Sequence, residues 1–203
     1  MEKVMGSRVM HAIIAVEVLK RVPIKNTNAF MLGAIAPDAT NDKEITHFFT
    51  GQAAEFTREV NYSKFWDSFG NAKSDYLIGY YCHLIADEMW LNGFFSPWLK
   101  KLIEEKPHIQ QKYWDDFSLL NTLLLEEFTD VSEIINKLTL ENDIPTICNI
   151  TVNHISQLLE YLKNDINTKE EGQLKVFTYD QISSYIKRVV DKSVFLIENI
   201  LAS

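Results

Sequence analysis

The chain has 203 residues, 46% hydrophobic and 12% aromatic, enough to bury a sizeable core in one domain with at most an elaboration. Its 28 acidic against 20 basic residues give a formal net charge of −8, which speaks against a duplex nucleic-acid binder, because such proteins present a basic face. No apolar run approaches the roughly 20 residues that span a bilayer. The first residues lack the basic-then-apolar layout of a secretion signal, and two cysteines make no disulfide framework, so an acidic cytoplasmic protein is expected.

Ser7 is an N-cap for a helix from about Arg8 to Arg21, stopped before Pro23. Its apolar positions surround much of the circumference, which marks a buried helix, and His11 lies in its first turn. Asn26–Asn28 turn the chain into a short apolar segment, Ala29–Ala36. Pro37 is expected to push Ala36 out of the helical region and end that segment at Asp38. Residues 39–57 are polar, carry His47, and predict a loop with short helical pieces, long enough to suspect function. Tyr62–Phe69 allows a short helix closed by Gly70. Ser74 caps a long central helix, about 74–92, that Gly93 is expected to end. Ser96-Pro97 predicts a fresh helix start. Further helices follow over Ile109–Phe128, from Asp130 to Leu138, from Pro145 through Ile150 to Leu162, and from Thr178 to Leu201. No period-two strand series, internal repeat or low-complexity run is present. The fold class is all-α, with 1–203 as a single multi-helix domain.

The chemistry concentrates in the first 87 residues. His83 and Asp87 are four apart on the central helix, so an imidazole and a carboxylate share one face a turn apart. Gly79, one turn earlier, costs roughly 1 kcal/mol against Ala and invites a close approach of backbone or ligand. His11, Asp38 and His47 occupy apolar or strongly punctuated positions. Charges in such sites must pair, neutralise or bind metal, because desolvating them unpaired costs several kcal/mol. Mixed imidazole and carboxylate ligation suits Zn²⁺, with Fe or Mn as alternatives. Separate salt bridges and N-caps are the competing explanation.

The runs Ser7-Arg8-Val9-Met10-His11, Gly33-Ala34-Ile35-Ala36-Pro37-Asp38, Lys43-x-x-Thr46-His47-Phe48 and Gly79-Tyr80-Tyr81-Cys82-His83-x-x-x-Asp87 together resemble the zinc-dependent phospholipase C family. That family shares its all-helical fold with single-strand-specific nucleases. The resemblance implies that Asp38, His47, His83 and Asp87 surround one zinc ion, that Asp87 bridges to a second ion also held by His11, and that Asp38 orients or deprotonates the attacking water. It also marks departures. The family's second ion takes the mature N-terminal residue, whereas Met1 lies ten residues before His11. The third ion needs a His-x-x-x-Glu/Asp, whereas His108 is followed at that spacing by Lys112 and His154 by Leu158. One or two ions are therefore implied.

Other residues carry two readings. Glu88 is an acceptor behind a metal ligand, a remnant of a third site or part of a solvated helix face, and Lys43 a phosphate contact or a plain loop lysine. Tyr80, Tyr81 and Trp90 are cleft lining or core. Asp115 and Asp116 read as a polar face, His154 as a core or boundary histidine, and Cys82 as core. The functional expectation is a metal-dependent hydrolase of phosphoester bonds acting on a small phosphorylated substrate. Its metal motifs lie in 7–88 and its helical scaffold in 96–203. A non-catalytic helical protein with a structural or sensory metal site is the alternative.

Overall fold

The computed structural model of the protein describes residues 6–52, 55, 57–141 and 144–202. Its helices in chain order are α1 (Arg8–Leu19), α2 (Thr27–Ile35), α3 (Lys43–Thr46), α4 (Tyr62–Phe69), α5 (Asp75–Trp90), α6 (Lys100–Glu105), α7 (Ile109–Glu127), α8 (Val131–Lys137), α9 (Val152–Asn167) and α10 (Tyr179–Ala202). A two-residue antiparallel ribbon, β1 (Phe49–Thr50) with β2 (Glu59–Val60), pairs Phe49 with Val60 and Thr50 with Glu59. The all-α expectation holds, with this ribbon as a small addition whose first strand lies in the polar stretch 39–57 and whose second lies just beyond it. Among the described residues no helix is long and apolar enough to cross a membrane.

The helix α5 is the hub. Its N-terminus is capped by Ser74, whose hydroxyl accepts the Leu77 N–H, and Asp75 sits favourably in the first turn. Every residue from Tyr76 to Asp87 is buried, as a helix apolar around its circumference requires. Tyr80, Tyr81 and Trp90 are core side chains. One contiguous apolar cluster runs from Val9 on α1 to Ile197 on α10.

The closest backbone contact joins α2 to α5. A Cβ at Gly79 would lie 2.0 Å from the Phe30 carbonyl oxygen, and one at Gly33 would lie 1.9 Å from that of Tyr76. Each helix thus presents a glycine to the other's backbone, an approach that any side chain would block.

Three local expectations are overturned. Pro37 does not end the α2 segment: Ala36 stays helical (φ −55°, ψ −39°), and a 3-10 turn, Ala36–Ala39, continues with the proline ring in its first turn, where no N–H is needed. Nor does Gly93 end α5. A π-helical stretch, Leu91–Leu99, runs on into α6 with Gly93 and Pro97 inside it, so Ser96-Pro97 starts no new helix. Pro97 brings no N–H to the ladder, and buried aromatics hold the widened backbone in place, Trp90 stacking on Phe94 at 4.6 Å and both meeting Phe177 and Tyr185. Finally, α9 begins at Val152 rather than at Pro145. Thr151 caps it through the His154 N–H, and Ile147 and Ile150 form a β-bridge ahead of it.

The second half braces the first. Ser7 donates to Asn121 at 2.6 Å, Arg8 pairs with Asp165, and Tyr185 donates to the Ala86 carbonyl at 2.9 Å. Asp116 is not part of a polar face. It is 1% exposed, and its carboxylate accepts the backbone N–H groups of Lys175, Val176 and Phe177, anchoring the approach to α10.

Gly79→Ala should lower the unfolding free energy by about 2–4 kcal/mol, seen as a lower urea midpoint, because a methyl group must displace the Phe30 carbonyl. Gly93→Ala, with nothing within 4 Å of its Cβ position, should leave the midpoint unchanged or raise it slightly.

Candidate metal centre

All five sequence-predicted residues meet at one place, where α1, α5, the 3-10 turn and the end of α3 converge. Asp87 is the centre of the group. Its Oδ2 lies 3.0 Å from His47 Nε2 and 3.3 Å from His83 Nε2, and its Oδ1 lies 3.3 Å from His11 Nε2. The Nε2 atoms of His47 and His83 are 3.3 Å apart, and Asp38 Oδ1 is 3.6 Å from His47 Nε2. The rings of His11 and His83 stack at 3.8 Å. The cluster is almost wholly buried. Side-chain exposure is 3% or less for all except Asp38, which keeps 6% and marks the open side.

The backbone decides which ring nitrogens face the centre. The Gly33–Gly79 contact brings α2 close enough for His83 Nδ1 to donate to the Ala34 carbonyl at 2.8 Å. A carbonyl only accepts, so His83 carries its proton on Nδ1 and turns a lone pair on Nε2 inward. Thr46 does the same for His47. Its hydroxyl donates to the Asp42 carbonyl and accepts from His47 Nδ1 at 2.9 Å, while Tyr80 donates to the Thr46 carbonyl at 2.6 Å. Phe48, at φ +52°, turns the chain sharply from α3 into β1, and Phe49 of the ribbon stacks over His47. Ala34 and Thr46 are therefore orienting groups that single-residue reading passes over; the Thr46-His47 and Gly33-Ala34 pairs were the available signal.

With both Nδ1 atoms committed, the Nε2 atoms of His47 and His83 are the ones that face the carboxylate. Neither Asp87 oxygen has a hydrogen-bond donor of proper geometry, despite these short approaches. Ionisable groups gathered this closely in a buried site need a compensating charge, and a cation among them supplies it. Ligand atoms on a tetrahedral ion with bonds of about 2.0–2.1 Å stand about 3.3 Å apart. The 3.0–3.3 Å separations among His47, His83 and Asp87 match that edge. His11, Asp38 and His83 also offer ligand atoms within 4.8 Å of one another. The donor set fits a divalent ion such as zinc.

Electrostatics of the metal-free cluster follow from burial opposed by neighbours. Burial pushes Asp87 up, but His83, His11 and His47 outweigh it and hold its pKa well below the ordinary range. Burial also pushes Asp38 up, and the Lys43 ammonium and His47 overcome it and hold it well below. His47 is lowered by burial but raised on balance by its contacts with Asp38 and Asp87. His83 goes the other way, to about 4, because burial and the stacked His11 outweigh Asp87.

Other candidates lie elsewhere. His108 is exposed at the start of α7, and His154 Nδ1 accepts the Thr151 N–H, so neither joins the cluster. Glu88 accepts from Lys192 and Asn92. Burial pushes the Cys82 thiol up to about 12, which leaves it inert near neutral pH. Met1, the position where the resemblance departs at the second ion, is outside the described residues.

Compared with known proteins, residues 10–90 match the family described as zinc dependent phospholipase C, a span that contains all five residues of the cluster. No curated protein and no solved structure matches the chain.

The metal-free protein should lose stability as pH falls from 6.5 to about 4. In that window the unfolded His83 takes up a proton that the folded one refuses, so stability present above pH 6.5 is lost, by about 3 kcal/mol at full depth. Asp38 and Asp87, depressed in the fold, lose their contribution only below about pH 4, and His47, raised, loses its own only above about 6.5. His83→Asn, which keeps a donor for Ala34, should flatten the slope of denaturation midpoint against pH across this window.

Proposed function

Residues 10–90 place this chain in the zinc-dependent phospholipase C family, and from that premise we propose that the protein is a metal-dependent hydrolase of phosphoester bonds with His11, Asp38, His47, His83 and Asp87 as its centre. The observation that carries the proposal is the convergence of His47 Nε2, His83 Nε2 and Asp87 Oδ2 at 3.0–3.3 Å from one another in a buried site, the spacing of ligand atoms around a tetrahedral ion. His47, His83 and Asp87 Oδ2 would hold one zinc ion with Asp38. Asp87 Oδ1 and His11 would hold a second. A divalent ion bound there supplies a water acidified toward a pKa of about 7 and positive charge opposite developing phosphoryl charge.

This chain's own residues do the rest. Ala34 and Thr46 fix the two imidazoles so that no reorientation is needed. Asp38 is the water-orienting residue of the proposal. It is the most exposed of the five and is ionised at neutral pH, able to accept a hydrogen bond from an attacking water and orient it. Phe49, stacked on His47 beneath the Arg58 guanidinium, covers one side of the cluster against bulk water. In this reading residues 7–88 carry the chemistry and residues 96–203 hold it in place. The substrate is a small phosphorylated molecule or a phospholipid head group.

Zinc added to chelator-stripped protein should bind stoichiometrically and raise the melting temperature, since a ligand of the folded state alone stabilises it. His83→Ala and Asp87→Ala should each abolish binding while the helical circular dichroism persists. Asp38→Asn should lower turnover about 100-fold or more in a screen of phosphomonoesters, phosphodiesters, single-stranded nucleic acid and phospholipids. Absence of a stoichiometric divalent ion would sink the proposal. Zinc binding without turnover of any of these would leave a structural metal in its place.

A further inference from the structure

Lys43 opens α3 and reaches the cluster from outside. Its ammonium contacts Asp38 Oδ1, the same oxygen that lies 3.6 Å from His47 Nε2. The two side chains are unequally covered, 25% exposed for Lys43 and 6% for Asp38, so the lysine stands between the carboxylate and solvent at the one open side. It is not a plain loop lysine.

We infer that Lys43 is the anion-binding residue of this centre: it caps Asp38 while the ion is absent and turns toward a phosphoryl group of the substrate when the ion is bound. The inference rests on the proposed function. An ammonium on Asp38 Oδ1 and a divalent ion using that oxygen would lie within a few ångströms of each other, where like charges repel strongly in a site sheltered from water. Asp38 is fixed by its position on the 3-10 turn, whereas a lysine head rides on a flexible four-carbon stem, so Lys43 is the member that yields. Once displaced, its charge needs a new partner at the mouth. Of the two flanking carboxylates, Glu44 is already engaged by Arg58. An incoming phosphate ester brings the missing negative charge and hydrogen-bond acceptors, and a lysine meets such a group as a point charge. The same ammonium would thereby hold the empty site together and select an anionic substrate for the loaded one.

The test uses the full chain, zinc and inorganic phosphate. Zinc affinity is measured by chelator competition and phosphate affinity of the zinc-loaded protein by calorimetry, in wild type, Lys43→Met and Lys43→Arg. Lys43→Met should bind zinc about tenfold more tightly, having lost the competing cation, and bind phosphate about tenfold more weakly. Lys43→Arg should keep phosphate binding within about threefold of wild type. Zinc affinity unchanged or reduced in Lys43→Met, or phosphate affinity unchanged, overturns the inference. A wild type that binds no zinc overturns the proposed function instead. If methionine prevents the metal-free chain from folding, Lys43→Gln, which keeps a donor toward Asp38, is measured against the same two outcomes.

Discussion

The backbones of α2 and α5 touch because Gly33 and Gly79 face each other's carbonyls with no Cβ between them. Most of the centre's geometry descends from that contact. It sets the Ala34 carbonyl against His83 Nδ1, which fixes the imidazole's tautomer and aims Nε2 at Asp87. α2 then passes directly into the 3-10 turn that carries Asp38. A wider separation between the two helices would leave His83 free to rotate and Asp38 displaced from His47.

Around this contact the protein assembles an arrangement that is unfavourable by itself. Two carboxylates and three imidazoles sit together in an almost wholly buried site. Packing elsewhere holds the cluster together. α5 is buried along three turns, α10 ties to it through Tyr185, and α1 is fixed to α7 and α9 through Ser7 and Arg8. A rigid frame that forces acceptors together is how a preorganised cation site is made, because the cost of converging the ligands is met during folding rather than at binding.

The departures from sequence expectation have separate physical causes. Gly93, Pro97 and Pro37 are helix breakers by local preference, yet helical backbone passes through each of them. At Pro37 the first-turn position makes the missing N–H harmless. At Gly93 and Pro97 the buried cluster of Trp90, Phe94, Phe177 and Tyr185 outweighs a propensity cost of a few kcal/mol. Asp116 shows the reverse error. Beside Asp115 and after two aromatics it looks like a solvated face, but it is spent on three backbone N–H groups some sixty residues away, a partner that no local pattern announces.

What the sequence determined by itself is whatever depends on bonds and spacing along the chain. The capping of α1 and α5 by Ser7 and Ser74, the all-α class, and the placing of His83 and Asp87 on one helix face follow from local hydrogen bonding and the helical period. The five candidate ligands were nameable for the same reason, each standing in an apolar or punctuated stretch and within motifs resembling a known family. Tertiary structure alone decided that His11, Asp38 and His47 arrive at that face and that His83 turns its Nε2 inward. Those outcomes depend on how closely two glycine-faced helices approach and on which carbonyl lands beside which imidazole. Such contacts join residues up to 76 positions apart, as for His11 and Asp87, and no periodicity within either segment encodes them.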